Sequence, residues 1–410
     1  MRDGWVETTL GDICKDGLLA DGDWVESKDQ DPEGDYRLLQ LADIGDGAFL
    51  DKSDRWMNNE QFLRLGCTRL EVNDVLIARM PDPIARACLL PEGLPVSATV
   101  VDVAIVRTGN EILQKILSLI VNSPEFRNEA LSLLTGTTRQ RVSRGNLSKI
   151  SFWLPPLPEQ KRIVDLISSV DSYIEALQQQ LESAKRSRNA VLHELLTAGG
   201  DDWNETTLGE ITDLVRGPFG GSLKKEIFVQ EGFAVYEQQH AIYGDFSTIR
   251  YRISSQKFDE MKRFSLQPGD LIMSCSGTMG KVRIVPKDAA PGIINQALLK
   301  IKPKLNLISE FLFLWMQSDD FIRQIEMNSG GGALQNVSSV KMLKGIKLTV
   351  PDLVEQERII GIISTIDEVK IKTELAIDDI KNLRSGLLSD LLRGKHEIPV
   401  SYDKVLGTAR

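Results

Sequence analysis

Two related stretches, PPLPEQKRIV at residues 155–164 and VPDLVEQERII at residues 350–360, decide how this chain folds. Before the first, apolar residues alternate over 150–154, which predicts a strand. Proline lacks the backbone N–H that a strand ladder needs, so the strand should end there. Glu159 then favours a helix start, because a negative charge stabilises the first helical turn. Each stretch is therefore predicted to join a strand to a helix.

After each junction, mostly apolar residues recur at alternating intervals of four and three for about forty residues. An arginine recurs at the same place in both runs (Arg188 and Arg384), and the middle of the second run is more polar, with Lys370 and Thr373. This heptad spacing is typical of a helix that packs along its length on another helix. Each helix could cover only its own domain, but a seam this long favours antiparallel pairing with the other helix and approximate two-fold symmetry. The seam positions are Ile163, Ile167, Val170, Ile174, Leu177 and Leu181 in the first helix, and Ile359, Ile363, Ile366, Ile377, Ile380, Leu387 and Leu391 in the second.

The two junctions belong to a tandem repeat that covers the whole chain. The other matching pairs, in the same order, are WVETTLGDI (5–13) with WNETTLGEI (203–211), NDVLIAR (73–79) with GDLIMSC (269–275), and GTTRQRVS (136–143) with GGALQNVS (331–338). A fainter match pairs Gln40 with Gln238. The period is far longer than the roughly 20–50 residues of a solenoid repeat, so we interpret it as duplication of a domain with its helix.

Each repeat is predicted to hold a globular part of mixed strands and helices, so the fold class is α+β: two tandem mixed α/β domains separated by two long helices that form an antiparallel coiled coil. The predicted strands are Arg37–Leu41, Val75–Ala78, Val100–Val106, Ala234–Tyr236, Leu271–Ser274 and Ala297–Ile301, and the predicted helices include Glu111–Asn122 and Ser309–Gln317. The predicted divisions are 1–157 and 200–353 for the domains, 158–199 and 354–395 for the long helices, and 396–410 for a tail.

Composition places the chain among globular proteins, with 42% hydrophobic and 26% charged residues. No apolar run reaches the roughly 18–20 residues of a membrane span, and the N-terminus lacks a signal-peptide pattern. The four cysteines are scattered, which argues against a zinc site or a disulfide framework and favours the cytoplasm. The net charge of −9 gives no general affinity for nucleic acid, although a local basic face is enough to bind DNA.

The sequence lacks the motifs of several common catalytic classes. The Pro-Pro at 155–156 has neither the acidic or amide residue nor the aromatic residue of an amino-methyltransferase loop. GTMGKV (277–282) is shorter than a P-loop and has valine at the position of the magnesium-binding hydroxyl, so we interpret it as a turn between strands. The three histidines are far apart, which predicts no metal site or catalytic triad. A binding function is favoured over catalysis.

The segment GTTRQRVSRGNLSK (136–149) has the composition of a nucleic-acid-binding loop. Its cations suit phosphates or guanine, its amide suits adenine, and its hydroxyls suit phosphate oxygens. An exposed polar loop without a ligand is equally consistent with this sequence. The candidate residues are Thr137, Thr138, Arg139, Gln140, Arg141, Ser143 and Arg144.

The second repeat offers a different set of polar residues at the matching place. The scaffold residues of the loop return while the polar residues between them change, as expected for duplicated domains that read different sequences. The candidates are Gln335, Asn336, Ser338 and Lys341. The stretch RGPFGGS (216–222) is either a simple turn or a loop that brings Lys224 and Lys225 near a phosphate.

These features together resemble the specificity subunit of type I restriction–modification systems. The matching motifs are Trp-x-x-x-x-Leu-Gly at each domain start, YRLLQLADIGDG at 36–47, the Gly-Thr…Val-Ser loop and the repeated junction, and they span almost the whole chain. The resemblance implies that each domain is a target recognition domain for half of a bipartite double-stranded DNA sequence. It also implies that the paired helices set the spacing and, through the seam positions, help to bind two modification subunits.

The resemblance further implies that this chain has no catalytic residues and binds no metal or cofactor. S-adenosylmethionine would be held by the modification subunits, which methylate adenine, and cleavage would belong to separate restriction subunits. We expect a cytoplasmic protein without a membrane partner. Two other hypotheses remain: a symmetric protein-interaction scaffold that does not bind DNA, and an enzyme with an unfamiliar site.

Overall fold

A computed structural model describes residues 2–199, 203–219, 221–276, 278–328 and 340–404. The chain divides into two compact units, one formed by Met1–Gln178 with Leu375–Arg410 and the other by Gln179–Glu374. The sequence analysis treated the long helices as segments of their own. In the structure, the division passes through both helices, so each helix contributes one half to each unit.

The first unit is a mixed α/β structure. Its elements are β1 (Val6–Thr9), α1 (Leu10–Ile13), β2 (Leu18–Asp21), β3 (Tyr36–Leu39), β4 (Trp56–Met57), α2 (Asn59–Leu65), β5 (Val75–Ala78), β6 (Ala87–Leu89), β7 (Ser97–Thr99), β8 (Val103–Arg107), α3 (Glu111–Val121), α4 (Pro124–Ser132), α5 (Arg144–Leu147), β9 (Ser151–Leu154) and the first half of α6 (Leu157–Thr197). An antiparallel sheet has the order β2-β8-β5-β6, a smaller sheet has the order β4-β3-β7 with β3 and β7 parallel, and β1 pairs with β9.

The second unit repeats this plan. Its elements are β10 (Asn204–Thr207), α7 (Leu208–Ile211), β11 (Thr212–Arg216), β12 (Phe228–Val229), β13 (Phe233–Tyr236), α8 (Gln238–Tyr243), β14 (Tyr251–Ile253), α9 (Ser255–Glu260), β15 (Leu271–Ser274), β16 (Val282–Ile284), β17 (Gly292–Ile294), β18 (Leu298–Pro303), α10 (Ser309–Trp315), α11 (Asp319–Asn328), α12 (Val340–Lys344), β19 (Lys347–Val350) and the first half of α13 (Leu353–Leu392). The sheets are β11-β18-β15-β16, β12-β14-β13-β17 and β10-β19. The predicted α+β class and the duplication are confirmed.

The structure corrects one detail of the repeat alignment. Strand register and capping make Gln40 equivalent to Glu237, one residue away from the predicted match with Gln238. Asp43 Oδ2 accepts a hydrogen bond from the Gln40 N–H at 2.6 Å. In the second unit His240 Nδ1 accepts the same bond from the Glu237 N–H at 2.9 Å. A buried acid and a buried imidazole therefore close the same turn, which the dissimilar side chains concealed in the sequence.

The strand-to-helix junction is closed by a glutamine side chain in both repeats. Gln160 Nε2 donates to the Pro155 carbonyl at 2.8 Å, and Gln356 Nε2 donates to the Pro351 carbonyl at 2.9 Å. Both glutamines are buried, so each amide satisfies a carbonyl that the prolines leave without a ladder partner. This contact explains why a glutamine stands five residues after that proline in both junctions: its side chain ties the strand end to the first helical turn.

The Trp-x-x-x-x-Leu-Gly motif at the start of the first repeat packs against this junction. The Trp5 indole N–H donates to Glu159 Oε2 at 3.1 Å, which gives Glu159 a partner in addition to the helix dipole. Leu10 and its equivalent Leu208 are fully buried in the cores of their units. The motif therefore fixes the first strand of each repeat beside the strand that leads into a long helix.

Within each unit the halves of α6 and α13 run antiparallel and also cover the globular core. In the first unit, Ile163 and Ile167 near the start of α6 share a core with Leu391 near the end of α13. In the second unit, Leu192 near the end of α6 shares a core with Ile359 near the start of α13. The helices thus do both things that the sequence left open: they pair with each other and they cover their own domains.

Two related ion pairs link the helices, one in each unit. Arg384 of α13 binds the Asp171 carboxylate through two nitrogens, and Arg188 Nε of α6 donates to Asp367 Oδ1 at 2.7 Å. Arg188 also donates to the Gln317 side chain at 3.1 Å and is only 8% exposed. Burial opposes ionisation of Asp367, but its hydrogen bonds from Arg188 and from a nearby lysine outweigh burial and lower its pKa.

The two pairs differ in burial, so equivalent substitutions should have unequal costs. Asp367→Asn leaves the buried Arg188 guanidinium without its counter-charge and should lower the free energy of unfolding by about 1–3 kcal/mol. Asp171→Asn removes the more exposed pair and should cost about 0–1 kcal/mol. Calorimetric unfolding of the two full-length variants tests this, each serving as the control for the other. Equal losses would show that burial of Arg188 does not set the strength of its pair.

Candidate nucleic-acid interface

A short closed loop presents the first group of candidate residues. Thr135 and Arg141 exchange two backbone hydrogen bonds, each of 3.0 Å, which close the segment between them. Gly136 has a φ of +97°, and a Cβ there would lie 2.8 Å from the Arg139 carbonyl, so the turn requires glycine. The geometry holds residues 137–140 at the tip of a closed loop.

The four side chains at the tip point into solvent. Thr137, Thr138, Arg139 and Gln140 are all exposed, and within the described part of the chain none of these side chains forms a hydrogen bond. Their donors and acceptors are therefore available to a ligand. A hydroxyl pair, a guanidinium and an amide next to one another match the groups that contact phosphates and base edges.

The remaining candidates of this segment have other contacts. Arg141 lies 3.7 Å from Asp102 with half of its side chain exposed, so it is held loosely. Ser143 is the N-cap of α5, and its hydroxyl accepts from the Asn146 N–H at 3.1 Å. Arg144, the first residue of α5, is exposed. The Ser143 hydroxyl therefore has a structural use that the composition of the segment did not reveal, since Ser is a preferred N-cap residue.

A buried arginine that the sequence analysis missed supports this loop. The Arg79 carbonyl accepts from the Val142 N–H at 2.9 Å, and its guanidinium donates to Asp21. Burial lowers the pKa of Arg79, and the positive charges of Arg141 and Arg144 act in the same direction. The loop is thus anchored on a buried arginine that pairs with the half-buried Asp21, and two further arginines lie close enough to act on its charge. A charge at the end of the apolar run NDVLIAR was the available signal.

In the second unit the structure describes only three of the candidate residues, all of them lysines. Lys224 and Lys225 are exposed and lie at a short 3₁₀ helix, Lys225–Ile227, that follows the RGPFGGS stretch. Lys341 is exposed on α12. Gln335, Asn336 and Ser338 lie outside the described residues. Arg216, at the end of β11, donates to the Cys275 carbonyl at 3.5 Å, so a cation occupies the place that Asp21 has in the first unit.

The described residues of GTMGKV, 278–282, belong to a turn between strands, as predicted. It connects β15 and β16, which are paired antiparallel. The Gly280 N–H donates to the Ser274 carbonyl at 2.9 Å, and the Lys281 N–H donates to the Ser274 hydroxyl at 3.0 Å. These two backbone donors, which a phosphate-binding loop would direct at its ligand, are here used within the hairpin.

The four cysteines and His240 are buried in the protein. Burial raises the pKa of the Cys14 thiol to about 11 and that of Cys88 to about 12, so neither is a thiolate at neutral pH. His240 is fully buried, with Nε2 3.1 Å from the Thr248 carbonyl. Among the described residues there is no cluster of three or more potential metal ligands from His, Cys, Asp and Glu. None of the described helices is long and apolar enough to span a membrane.

The seam positions of the long helices are buried or half-buried. The buried ones are Ile163, Ile167, Ile174, Leu181, Ile359, Ile363, Ile377 and Leu391, and the half-buried ones are Val170, Leu177, Ile366, Ile380 and Leu387. A different set of apolar side chains on the helices is exposed: Tyr173, Val369, Ile371, Leu375 and Leu383. The predicted seam therefore faces inward, and the outward-facing surface has apolar residues of its own.

Comparison with known proteins supports the sequence resemblance. The family model of the type I restriction modification DNA specificity domain matches residues 2–186 and again residues 200–381. The type I restriction enzyme EcoBI specificity subunit of Escherichia coli is 24% identical over 293 residues, which cover 64% of this chain and 61% of that protein. The type I restriction enzyme MjaVIII specificity subunit of Methanocaldococcus jannaschii is 24% identical over 285 residues, which cover 63% of this chain and 65% of that protein. The match thus spans less than two thirds of either relative.

Solved structures share the fold along nearly the whole chain. A chain from a structure of the assembly and conformational transition of a type I R-M system aligns with a TM-score of 0.64 and 18% identity, covering 97% of this chain and 99% of its own length. The S subunit of a type I restriction-modification system from M. genitalium aligns with a TM-score of 0.52 and 15% identity. The alignment covers 95% of this chain and 97% of that subunit. With two matches that together cover most of its length, the chain belongs to the type I restriction modification DNA specificity domain family.

Proposed function

We propose that this chain is the DNA sequence-recognition subunit of a type I restriction–modification complex, in which each unit reads one half of a bipartite target. The observation that carries the proposal is the double match to a DNA specificity domain, on two units of the same topology. The exposed loop of the first unit supplies a surface with the required chemistry.

The loop at 136–141 would combine positioning with base choice. Arg139 and Arg141 supply positive charge for phosphate contacts, whose affinity is sequence-independent and salt-sensitive. The Gln140 amide and the Thr137 and Thr138 hydroxyls supply donors and acceptors that distinguish base edges in a groove. Because the loop is closed by backbone hydrogen bonds and anchored on Arg79, little conformational entropy would be lost when it binds.

The long helices would set the distance between the half-sites and bind two modification subunits. Each is unbroken over about forty residues, so it is roughly 60 Å long. Exposed apolar side chains such as Tyr173, Ile371 and Leu383 suit a protein partner, since such groups on a helix gain free energy when covered. S-adenosylmethionine, methyl transfer to adenine and DNA cleavage belong in this proposal to the modification and restriction subunits, in the cytoplasm.

Deleting the gene for this chain should abolish methylation of one bipartite motif and leave other motifs unchanged. Methylome sequencing of cells with and without the protein measures this directly. Restoring the gene from a plasmid is the control. An unchanged methylome would reject DNA recognition and favour a protein-interaction scaffold, and methylation by the purified chain alone with S-adenosylmethionine would identify an enzyme instead.

The double variant Arg139→Ala/Arg141→Ala should weaken DNA binding if both arginines contact phosphates, or relax only the half-site read by the first unit if they contact guanine edges. Loss of two phosphate contacts would reduce the slope of log K against log salt by up to about 1.8. Binding of duplex DNA by the chain with its modification subunits, over a salt series, measures both effects. The control Arg55→Ala/Arg69→Ala removes the same charge from exposed positions of the same unit. If the slope and both half-sites are unchanged, the loop does not contact DNA.

Deleting one heptad from each long helix together should change the number of unread bases between the half-sites without changing either half-site. The seam would stay in phase because its period is seven residues. A methylation assay on substrates with graded spacers measures this. Deletion from only one helix would misalign the pair and should lower stability, which provides the control. An unchanged spacer preference would contradict the role of the helices in setting the distance.

A further inference from the structure

Each unit presents an exposed aromatic side chain at an equivalent place, just after the first strand of its antiparallel sheet. Trp24 follows β2 and is 70% exposed, and Phe219 follows β11 and is 84% exposed. The register of β2 with β8 and of β11 with β18 makes the two positions equivalent. The sequences around the two aromatics differ so much that the repeat is not visible at this position.

A glycine two residues before each aromatic fixes the path of the chain. The Gly22 N–H donates to the Val103 carbonyl at 2.8 Å, and the Gly217 N–H donates to the Leu298 carbonyl at 2.9 Å. A Cβ at Gly22 would lie 2.3 Å from the nearest carbonyl oxygen, and a Cβ at Gly217 would lie 1.8 Å from one. Both strands therefore pack so closely against their neighbours that only glycine fits, and the chain must leave the sheet by the same route in both units.

Both units have an aromatic residue at this position, although the residues that precede it differ in charge and in type. Asp21 in the first unit corresponds to Arg216 in the second, and Asp23 corresponds to Pro218. A single exposed apolar side chain is ordinary in proteins and needs no explanation. Two exposed aromatic rings at one structural position, in repeats that have otherwise diverged, suggest a common use outside the core.

In the first unit, Trp24 comes three residues after Asp21, which helps to anchor the loop at 136–141. Asp21 binds Arg79, and the Arg79 carbonyl holds the Val142 N–H at the end of that loop. Val103, whose carbonyl accepts from the Gly22 N–H, comes directly after Asp102. Asp102 in turn lies 3.7 Å from Arg141. In the second unit, Phe219 is followed by the exposed Lys224 and Lys225. In the second unit the ring thus occurs with cations. Trp24 lies between Asp23 and Glu26, and its indole N–H donates to Glu26 Oε1 at 3.3 Å, so in the first unit the positive charge belongs to the loop at 136–141.

We propose that Trp24 and Phe219 contact DNA, each packing its ring against apolar base edges, such as thymine methyl groups, in a groove of the half-site that its own unit reads. This inference rests on the proposed function and adds an apolar contact to the loop. A ring contact neutralises no phosphate, so it should contribute affinity and base preference without altering salt dependence. Rings of different size at the same position would also give the two units different preferences.

The test is DNA binding by the full chain together with its modification subunits, using a labelled duplex that carries the motif found by methylome sequencing. Trp24→Ala and Phe219→Ala should each weaken binding by roughly 10- to 150-fold, the range expected when burial of an apolar side chain of this size is lost. The slope of log K against log salt should not change. Trp24→Phe should retain most of the affinity, because a smaller ring remains. Leu63→Ala and Leu305→Ala, at positions 67% and 96% exposed in the same two units, should have no effect.

The outcomes separate this inference from the proposed function. If the wild-type complex binds no duplex, the proposed function fails and this inference fails with it. If wild type binds but both alanine variants bind equally well, only this inference is overturned. If the alanine variants assemble poorly with the modification subunits on gel filtration, yet the assembled complex binds DNA normally, the rings belong to a protein interface and the inference is again overturned. Selective relaxation of one half-site by each variant would support it.

Discussion

Burial of the apolar seam along α6 and α13 is the constraint on which the rest of this structure depends. Ile163 and Ile359, at equivalent places near the helix starts, are fully buried, and each such side chain contributes about 1.5–3 kcal/mol. The seam is longer than one globular core can cover, and each core takes one half of each helix. Neither repeat therefore has a complete core without a helix half from the other.

Polar residues within the seam determine the register of the helices. Arg188 and Arg384 are repeat equivalents, as are Asp171 and Asp367, and in each unit the arginine of one helix binds the aspartate of the other. Apolar seams tolerate slippage by a heptad, whereas a buried Arg that loses its carboxylate is costly. These pairs therefore select one register from several that the apolar pattern alone would allow. Their unequal burial indicates that the second unit enforces the register more strongly.

The two units show how a duplicated scaffold can acquire two chemistries. Backbone contacts are retained in both units, including the glycine that closes the first strand of each antiparallel sheet. The side chains around those contacts are exchanged: the buried Asp43 corresponds to His240, and the Asp21–Arg79 pair corresponds to a contact from Arg216 to a carbonyl. Because the backbone satisfies its own hydrogen bonds, exposed residues can change without loss of the fold. Units that differ in this way meet the requirement of the proposed function, in which each reads a different half-site.

The sequence by itself determined the duplication, the mixed α/β class, the junctions and the heptad seam, because these follow from local periodicity and from proline chemistry. It also located the loop at 136–141. Only the tertiary structure decided that Ser143 caps a helix, that Arg79 anchors the loop and that Trp24 and Phe219 are equivalent. The Arg79–Asp21 pair and the strand registers join residues more than fifty positions apart, and no local pattern encodes them. Local rules specify the elements, whereas the partners of each side chain depend on which elements the folded core brings together.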